Sequence, residues 1–120
     1  MKPKSDIKTE INLLDLIPVK NIEWQRNEEG HIVLLKPKIK NPFLAKHLLP
    51  RFTNPFFRIK LDAVGSFIWE LCDGHLTVKE LGRKLKDKFG NKVEPLFDRL
   101  ALFFHDLEKN HFIYYKNFGR

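Results

Sequence analysis

The sequence lacks several features on which common protein functions depend. A single cysteine, Cys72, excludes an internal disulfide and a zinc site built from cysteines, and its apolar neighbours are typical of a buried structural thiol. The five histidines show no metal-ligand spacing, and no glycine-rich phosphate loop is present. No apolar stretch is long enough to span a bilayer or to form a secretory signal. We therefore expect a cytoplasmic protein that is not an enzyme and has no catalytic residue, metal site or cofactor.

The length of the chain limits the number of hydrophobic cores, and the charge distribution shows where its basic residues are concentrated. At 120 residues the chain has room for one hydrophobic core. The net charge is +7, and residues 21–60 carry eight basic against three acidic side chains, which is +5 of that total. The basic excess therefore precedes the part of the chain in which helices are predicted.

Three amphipathic helices are predicted in the second half of the chain. Asp62 is typical of an N-cap, and Thr77 with Glu80 has the spacing of a capping box. Pro95 suits a first helical turn, where its missing N–H does no harm. The predicted helices cover residues 62–72, 77–89 and 94–109.

Three strands are predicted before the helices, over Ile22–Arg26, His31–Lys36 and Phe56–Leu61, and a turn ending at Gly30 joins the first two. The segment Lys38–Pro55, between the second and third strands, is long for a loop. Its length indicates an insertion or a functional flap that contains a helical turn. This order predicts an α+β fold that is winged helix-turn-helix-like, with a three-stranded antiparallel sheet followed by three helices and a short extended tail.

The predicted domain organisation has two parts. Residues 1–20 form a flexible N-terminal arm whose first ten residues are polar and mixed in charge. Residues 12–19 within that arm are compatible with either a helical turn or an extended segment. Residues 21–120 form the folded domain.

Two motifs in the helical half resemble a known family. The first helix ends in Trp69-Glu70-Leu71-Cys72-Asp73-Gly74, and the second opens with Thr77-Val78-Lys79-Glu80-Leu81. Their order and spacing, followed by the third helix, resemble the PqqD family, named for pyrroloquinoline quinone synthesis protein D. The resemblance covers residues 56–113, whereas the segment before Asn21 and the Lys38–Pro55 loop depart from the smallest members.

The resemblance implies a peptide-binding module of the type called a RiPP recognition element. Such a module captures the leader of a ribosomally made precursor peptide and presents the peptide to a modifying enzyme, often a radical SAM enzyme. The leader is expected to add as a strand to the third strand, in a groove shared with the third helix. The peptide-binding residues predicted in this way are Phe56, Phe57, Arg58, Ile59 and Lys60 on the strand and Phe97, Ala101 and Phe104 on the helix.

Two patterns in the residues agree with this site, and each has a second interpretation. The apolar arc of the third helix reaches about 160°, which is wide enough to line a groove, although a phenylalanine-rich core or the long loop also accounts for it. A basic border would attract an acidic leader, although scattered basic side chains also serve solubility. The side chains of that border are Lys36, Lys38, Lys40, Arg58 and Lys60.

The alternative function is that of a winged-helix transcription regulator that binds DNA. A recognition helix should present basic or amide side chains to the major groove. Residues 94–110 instead carry four acidic side chains against two basic ones. The second helix is more basic, which keeps contact with a nucleic-acid backbone open, but the sequence favours a peptide partner.

Overall fold

A computed structural model describes residues 12–118 of the protein. In chain order, its strands and helices are β1 (Pro18–Lys20), β2 (Trp24–Arg26), β3 (Ile32–Pro37), α1 (Pro42–Leu48), β4 (Phe56–Lys60), α2 (Ala63–Glu70), α3 (Val78–Phe89), α4 (Leu96–Lys109) and β5 (Ile113–Tyr115). The α+β fold class is confirmed, with a three-stranded antiparallel sheet of order β2-β3-β4 and the three predicted helices following it. This arrangement is compatible with a winged-helix-like fold.

The chain divides into two compact units. One unit is the continuous segment Ile22–Ser66, and the other joins the segment that ends at Asn21 to the segment that begins at Phe67. The sequence placed a boundary after residue 20 and predicted one folded domain beyond it. In the structure, residues 12–21 belong to the same unit as the C-terminal helices.

The sheet lies in the continuous unit, and its first hairpin is closed by Asn27. The Asn27 side-chain oxygen accepts hydrogen bonds from the N–H groups of Glu29 (3.0 Å) and His31 (2.9 Å). Gly30 completes the turn with φ +84°, a left-handed conformation that glycine adopts without a steric penalty. The predicted hairpin is therefore confirmed, with β2 pairing Trp24 opposite Leu34.

Helix α1 lies within the predicted loop Lys38–Pro55. Asn41 caps it by accepting hydrogen bonds from the N–H groups of Phe43 (2.9 Å) and Leu44 (3.1 Å). Pro42 follows at the first position, where the fixed φ of proline favours a helix. None of the α1 residues is buried, and Phe43 is 68% exposed. The helix thus begins at a cap encoded in the sequence and contributes no buried side chain to the core.

The first described residues form part of the discontinuous unit. β1 pairs with β5 in antiparallel register, with Pro18 opposite Tyr115. The other side of β1 bonds to the turn after α2, since Lys20 N–H donates to Cys72 C=O (3.0 Å) and Gly74 N–H donates to Pro18 C=O (3.1 Å). The arm predicted over residues 1–20 is therefore a folded element from residue 12 onwards, and residues 1–11 lie outside the described part of the chain.

The helices of this unit supply its core. Trp69, Leu81, Leu85, Leu100 and Phe104 are fully or almost fully buried. α3 and α4 approach closely at Gly82, where a Cβ atom would lie 3.0 Å from Cδ1 of Leu100. The predicted capping box is confirmed, and Asp62 caps α2 by accepting from Gly65 N–H (2.7 Å). Among the described residues, no helix combines the length and the apolar character needed to cross a bilayer.

Candidate functional site

β4 forms one edge of the three-stranded sheet, because β3 separates it from β2. The hydrogen bonds at its two ends fix which residues face β3. Lys38 N–H donates to Pro55 C=O (3.0 Å), and Leu61 N–H donates to Ile32 C=O (2.8 Å). Hydrogen-bonded pairs alternate along an antiparallel ladder, so Phe57 and Ile59 direct their backbone groups towards β3.

Phe56, Arg58 and Lys60 consequently direct their backbone N–H and C=O groups away from the sheet. Within residues 12–118, none of these groups has a hydrogen-bond partner. A row of unpaired backbone donors and acceptors is a template for another extended segment. This set of six groups, which we call the β4 edge, is the strongest candidate for a binding site in the continuous unit.

The side chains of β4 give the edge an aromatic and partly apolar character. Phe57 is 52% exposed, and the Lys38 ammonium lies 5.6 Å from the centroid of its ring. Ile59 is half-buried and lies opposite Leu34 of β3. Phe57 thus offers an exposed ring, held by a cation–π contact, beside the unpaired backbone groups.

One cation of the basic border is paired with a carboxylate, and a second is bound by a neutral amide. Lys60 donates a 2.6 Å hydrogen bond to the Glu29 carboxylate, and this hydrogen bond is the main cause that lowers the pKa of Glu29. The Arg58 guanidinium lies 2.8 and 2.9 Å from the Gln25 side-chain oxygen, in the amide orientation that satisfies both groups. Cross-strand register creates both pairs, so the sequence pattern did not reveal them.

The α4 residues of the predicted site belong to the discontinuous unit and differ in exposure. Phe97 is 59% exposed and Ala101 is exposed, whereas Phe104 is completely buried. Phe104 therefore supports the core and offers no surface to a peptide. Leu102 is 68% exposed on the same helix and was not predicted as a surface residue.

Chemistry based on metals or thiols finds little support in the described part of the chain. No group of three His, Cys, Asp or Glu side chains within residues 12–118 has a geometry that could hold a metal ion. The Cys72 thiol is buried and donates to Ile68 C=O (3.4 Å), and burial raises its pKa to about 12. Its predicted role as a buried structural thiol is therefore confirmed.

These features indicate a class of protein. The fold is α+β, compatible with a winged-helix-like arrangement, and its three-stranded sheet has an open edge. That edge offers backbone hydrogen bonds, an exposed aromatic ring and basic neighbours. This combination is typical of domains that take up an extended peptide.

Comparison with known families agrees with the resemblance seen in the sequence. Residues 58–113, slightly less than half of the chain, match the family described as Coenzyme PQQ synthesis protein D (PqqD). This segment runs from the middle of β4 to the start of β5 and is similar to the family over α2, α3 and α4. The family match supports an accessory role in the biosynthesis of pyrroloquinoline quinone or a related product. Comparisons with curated proteins and with solved structures gave no match.

Proposed function

We propose that the protein captures the leader segment of a ribosomally made precursor peptide by strand addition to the β4 edge. The observation that carries the proposal is the row of unpaired backbone groups at Phe56, Arg58 and Lys60. An added strand would satisfy these groups and would bring alternate side chains over Phe57. The bound leader is then presented to a separate modifying enzyme of the radical SAM type or another peptide-modifying class.

The charge of the edge selects an acidic leader. Lys36 lies opposite Phe57 on β3, and Lys38 follows the end of that strand. Neither lysine forms an ion pair within residues 12–118. Opposite charge on the leader accelerates the encounter more than it strengthens the final complex. A leader that orders on binding loses roughly 2–5 kcal/mol, so we expect a dissociation constant near micromolar, or about −8 kcal/mol.

The family resemblance also implies Phe97 and Ala101 of α4 as leader-binding residues, and both are exposed in the discontinuous unit. Phe104 is buried, so its proposed role is limited to packing in the core beneath these residues. Phe104→Ala would remove a fully buried ring and destabilise the fold by about 3–5 kcal/mol, so loss of binding in that variant would have no clear meaning.

Backbone methylation of the leader tests strand addition directly. In an added strand, only alternate residues hydrogen-bond to the β4 edge. Calorimetry with the precursor peptide encoded nearest to the gene, N-methylated at one position at a time, should show weakened binding at every second position of the bound segment. A uniform loss, or no loss, across the bound segment would rule out strand addition.

Two protein variants with matched controls locate the site. Phe57→Ala should weaken binding about tenfold, whereas Phe52→Ala, which also truncates an exposed ring, should not. Arg58→Glu should slow association, whereas Arg51→Glu makes the same charge change at an exposed position away from β4. If each control weakens binding as much as its partner, the leader does not occupy the β4 edge.

A further inference from the structure

A second surface, separate from the β4 edge, lies between α3 and α4 in the discontinuous unit. It is a groove of about 290 Å³ lined by Lys79, Arg83, Lys86, Asp87, Leu96 and Phe97. We call it the α3–α4 groove. One wall is the charged face of α3, and the other is the apolar start of α4.

Two cations line this groove on α3. Lys79 and Arg83 are exposed and lie one helical turn apart, and their side chains form no hydrogen bond or ion pair within residues 12–118. Lys86 differs, because its ammonium contacts the Glu94 carboxylate and the Asn91 side-chain oxygen. The unpaired ammonium and guanidinium thus face an opening in which Asp87 is the only carboxylate among the six lining residues.

Contacts between α3 and the start of α4 shape the groove. Lys86 of α3 is tied to Glu94, just before α4, and Glu94 in turn accepts from Leu96 N–H (3.1 Å). At the helix crossing, a Cβ atom on Gly82 would lie 3.6 Å from Cδ2 of Leu96. A preformed site loses less conformational entropy when it binds a partner.

We infer that the α3–α4 groove docks an acidic segment of a partner protein that carries an apolar anchor side chain. Carboxylates of the segment bind the Arg83 guanidinium and the Lys79 ammonium, and the anchor packs on Leu96 and the 59% exposed ring of Phe97. Arginine suits this role because its planar guanidinium can bind a carboxylate through two parallel hydrogen bonds. Phenylalanine and arginine are both enriched at protein interfaces relative to the rest of the surface.

The apolar wall favours a protein segment over a nucleic acid. A phosphate backbone could use the cations, but it would leave the Phe97 ring and Leu96 without an apolar partner. Phe97 is also among the leader-binding residues that the family resemblance implies, so the variants that test this groove lie on α3.

The probe for this groove is a short synthetic peptide with a Leu-Phe pair flanked by glutamates. One control peptide has glutamine for each glutamate, and a second has serines in place of the Leu-Phe pair. We expect both controls to bind the full-length protein at least about tenfold more weakly than the probe. Amide NMR shift changes caused by the probe should concentrate on α3 and the first turn of α4, and changes confined to β4 would overturn the inference.

A neighbouring position on α3 supplies the matched variant. Arg83→Glu should weaken probe binding about tenfold, whereas Lys84→Glu makes a similar charge reversal at an exposed residue that does not line the groove. Equal losses of probe binding in the two variants would mean that only overall charge matters, which would overturn the inference. Tighter binding of duplex DNA than of the probe would also overturn it. Arg58→Glu should leave probe binding unchanged, so this test can fail without affecting the proposal for the β4 edge.

Discussion

Lys60, the last residue of β4, donates a 2.6 Å hydrogen bond to the carboxylate of Glu29 in the β2–β3 turn. The pair links β4, an edge strand of the sheet, to the turn of the β2–β3 hairpin. It also neutralises one cation of the border that would attract an acidic leader. Glu29 therefore competes with an acidic leader for the Lys60 ammonium.

Removing this competitor should strengthen the attraction of the β4 edge for an acidic leader. Glu29→Gln is expected to raise the association rate a few-fold at low salt, because it frees the Lys60 ammonium. Glu28→Gln is the control, since it removes the same charge from an exposed neighbour without releasing Lys60. Stopped-flow fluorescence measures both rates, and equal acceleration in the two variants would contradict a specific role for the pair.

The pKa of Glu29 sets the pH range of this competition. The hydrogen bond from Lys60 lowers the pKa of Glu29 below its ordinary value of 4.5. A carboxyl with a lowered folded-state pKa contributes stability above its unfolded value and loses that stability as pH falls through the folded value. The pair is thus intact at neutral pH, and we expect Glu29→Gln and wild type to differ in leader association there. NMR titration of the Glu29 carboxyl checks the direction of the shift.

The Cys72 thiol should be inert in the folded protein. Burial raises its pKa to about 12, so only about one thiol in ten thousand is ionised at pH 8. We expect labelling with iodoacetamide to be at least about a hundredfold slower in native protein than in guanidinium. Fast labelling of native protein would show that α2 opens readily.

The same pKa makes the fold sensitive to alkali. Because the folded-state pKa lies above its ordinary value of 9.0, the contribution of the neutral thiol is complete below that value and is lost as pH rises towards about 12. Cys72→Ser removes the titrating group, so its stability should depend less on pH over this range. Chemical denaturation at several pH values compares the two proteins.

The capping box at the start of α3 should make a measurable contribution to stability. The Thr77 hydroxyl accepts from Glu80 N–H (3.2 Å), and the Glu80 carboxylate accepts from Thr77 N–H (2.9 Å). Thr77→Ala is expected to lower the free energy of unfolding by about 1 kcal/mol. Thr53→Ala, at an exposed bend, is the control, and urea denaturation should give different midpoints for the two variants.

Binding to duplex DNA should be weak and independent of sequence. α4 exposes Asp98 and Asp106, which a recognition helix would have to bring close to phosphates. The cations of α3 still allow nonspecific contact at low salt, which should vanish near physiological salt. A gel-shift titration that finds nanomolar, sequence-selective binding at physiological salt would make the protein a transcription regulator.

Local signals predicted most of the fold. The capping box at Thr77 and the N-cap at Asp62 involve residues within one helical turn, so their meaning can be read directly from spacing. The hairpin turn at Asn27 and Gly30 is similarly local. The Asn41-Pro42 pair, a cap followed by proline, carried the signal for α1, but the surrounding prolines favoured a loop.

The sequence could not predict the structural features that depend on contacts between distant residues. The predicted extended tail corresponds to β5, but its pairing with β1 joins distant parts of the chain, which neither short segment specifies. Phe97, Ala101 and Phe104 share one stripe of α4, yet packing buries only Phe104. The partners of Arg58 and Lys60 depended on the register between strands, which no single segment specifies.

The pairing of β1 with β5 also has a consequence for the order of folding. The continuous unit Ile22–Ser66 can form its sheet from contacts within one short stretch of chain, whereas the other unit needs segments on both sides of that stretch. Contacts between distant segments are slow to form because a long loop must close first. During synthesis, Pro18–Lys20 leaves the ribosome early and has no strand to pair with until Ile113–Tyr115 follows. The hairpin and β4 can therefore form while the protein is still being made, and the closure of β1 on β5 comes last.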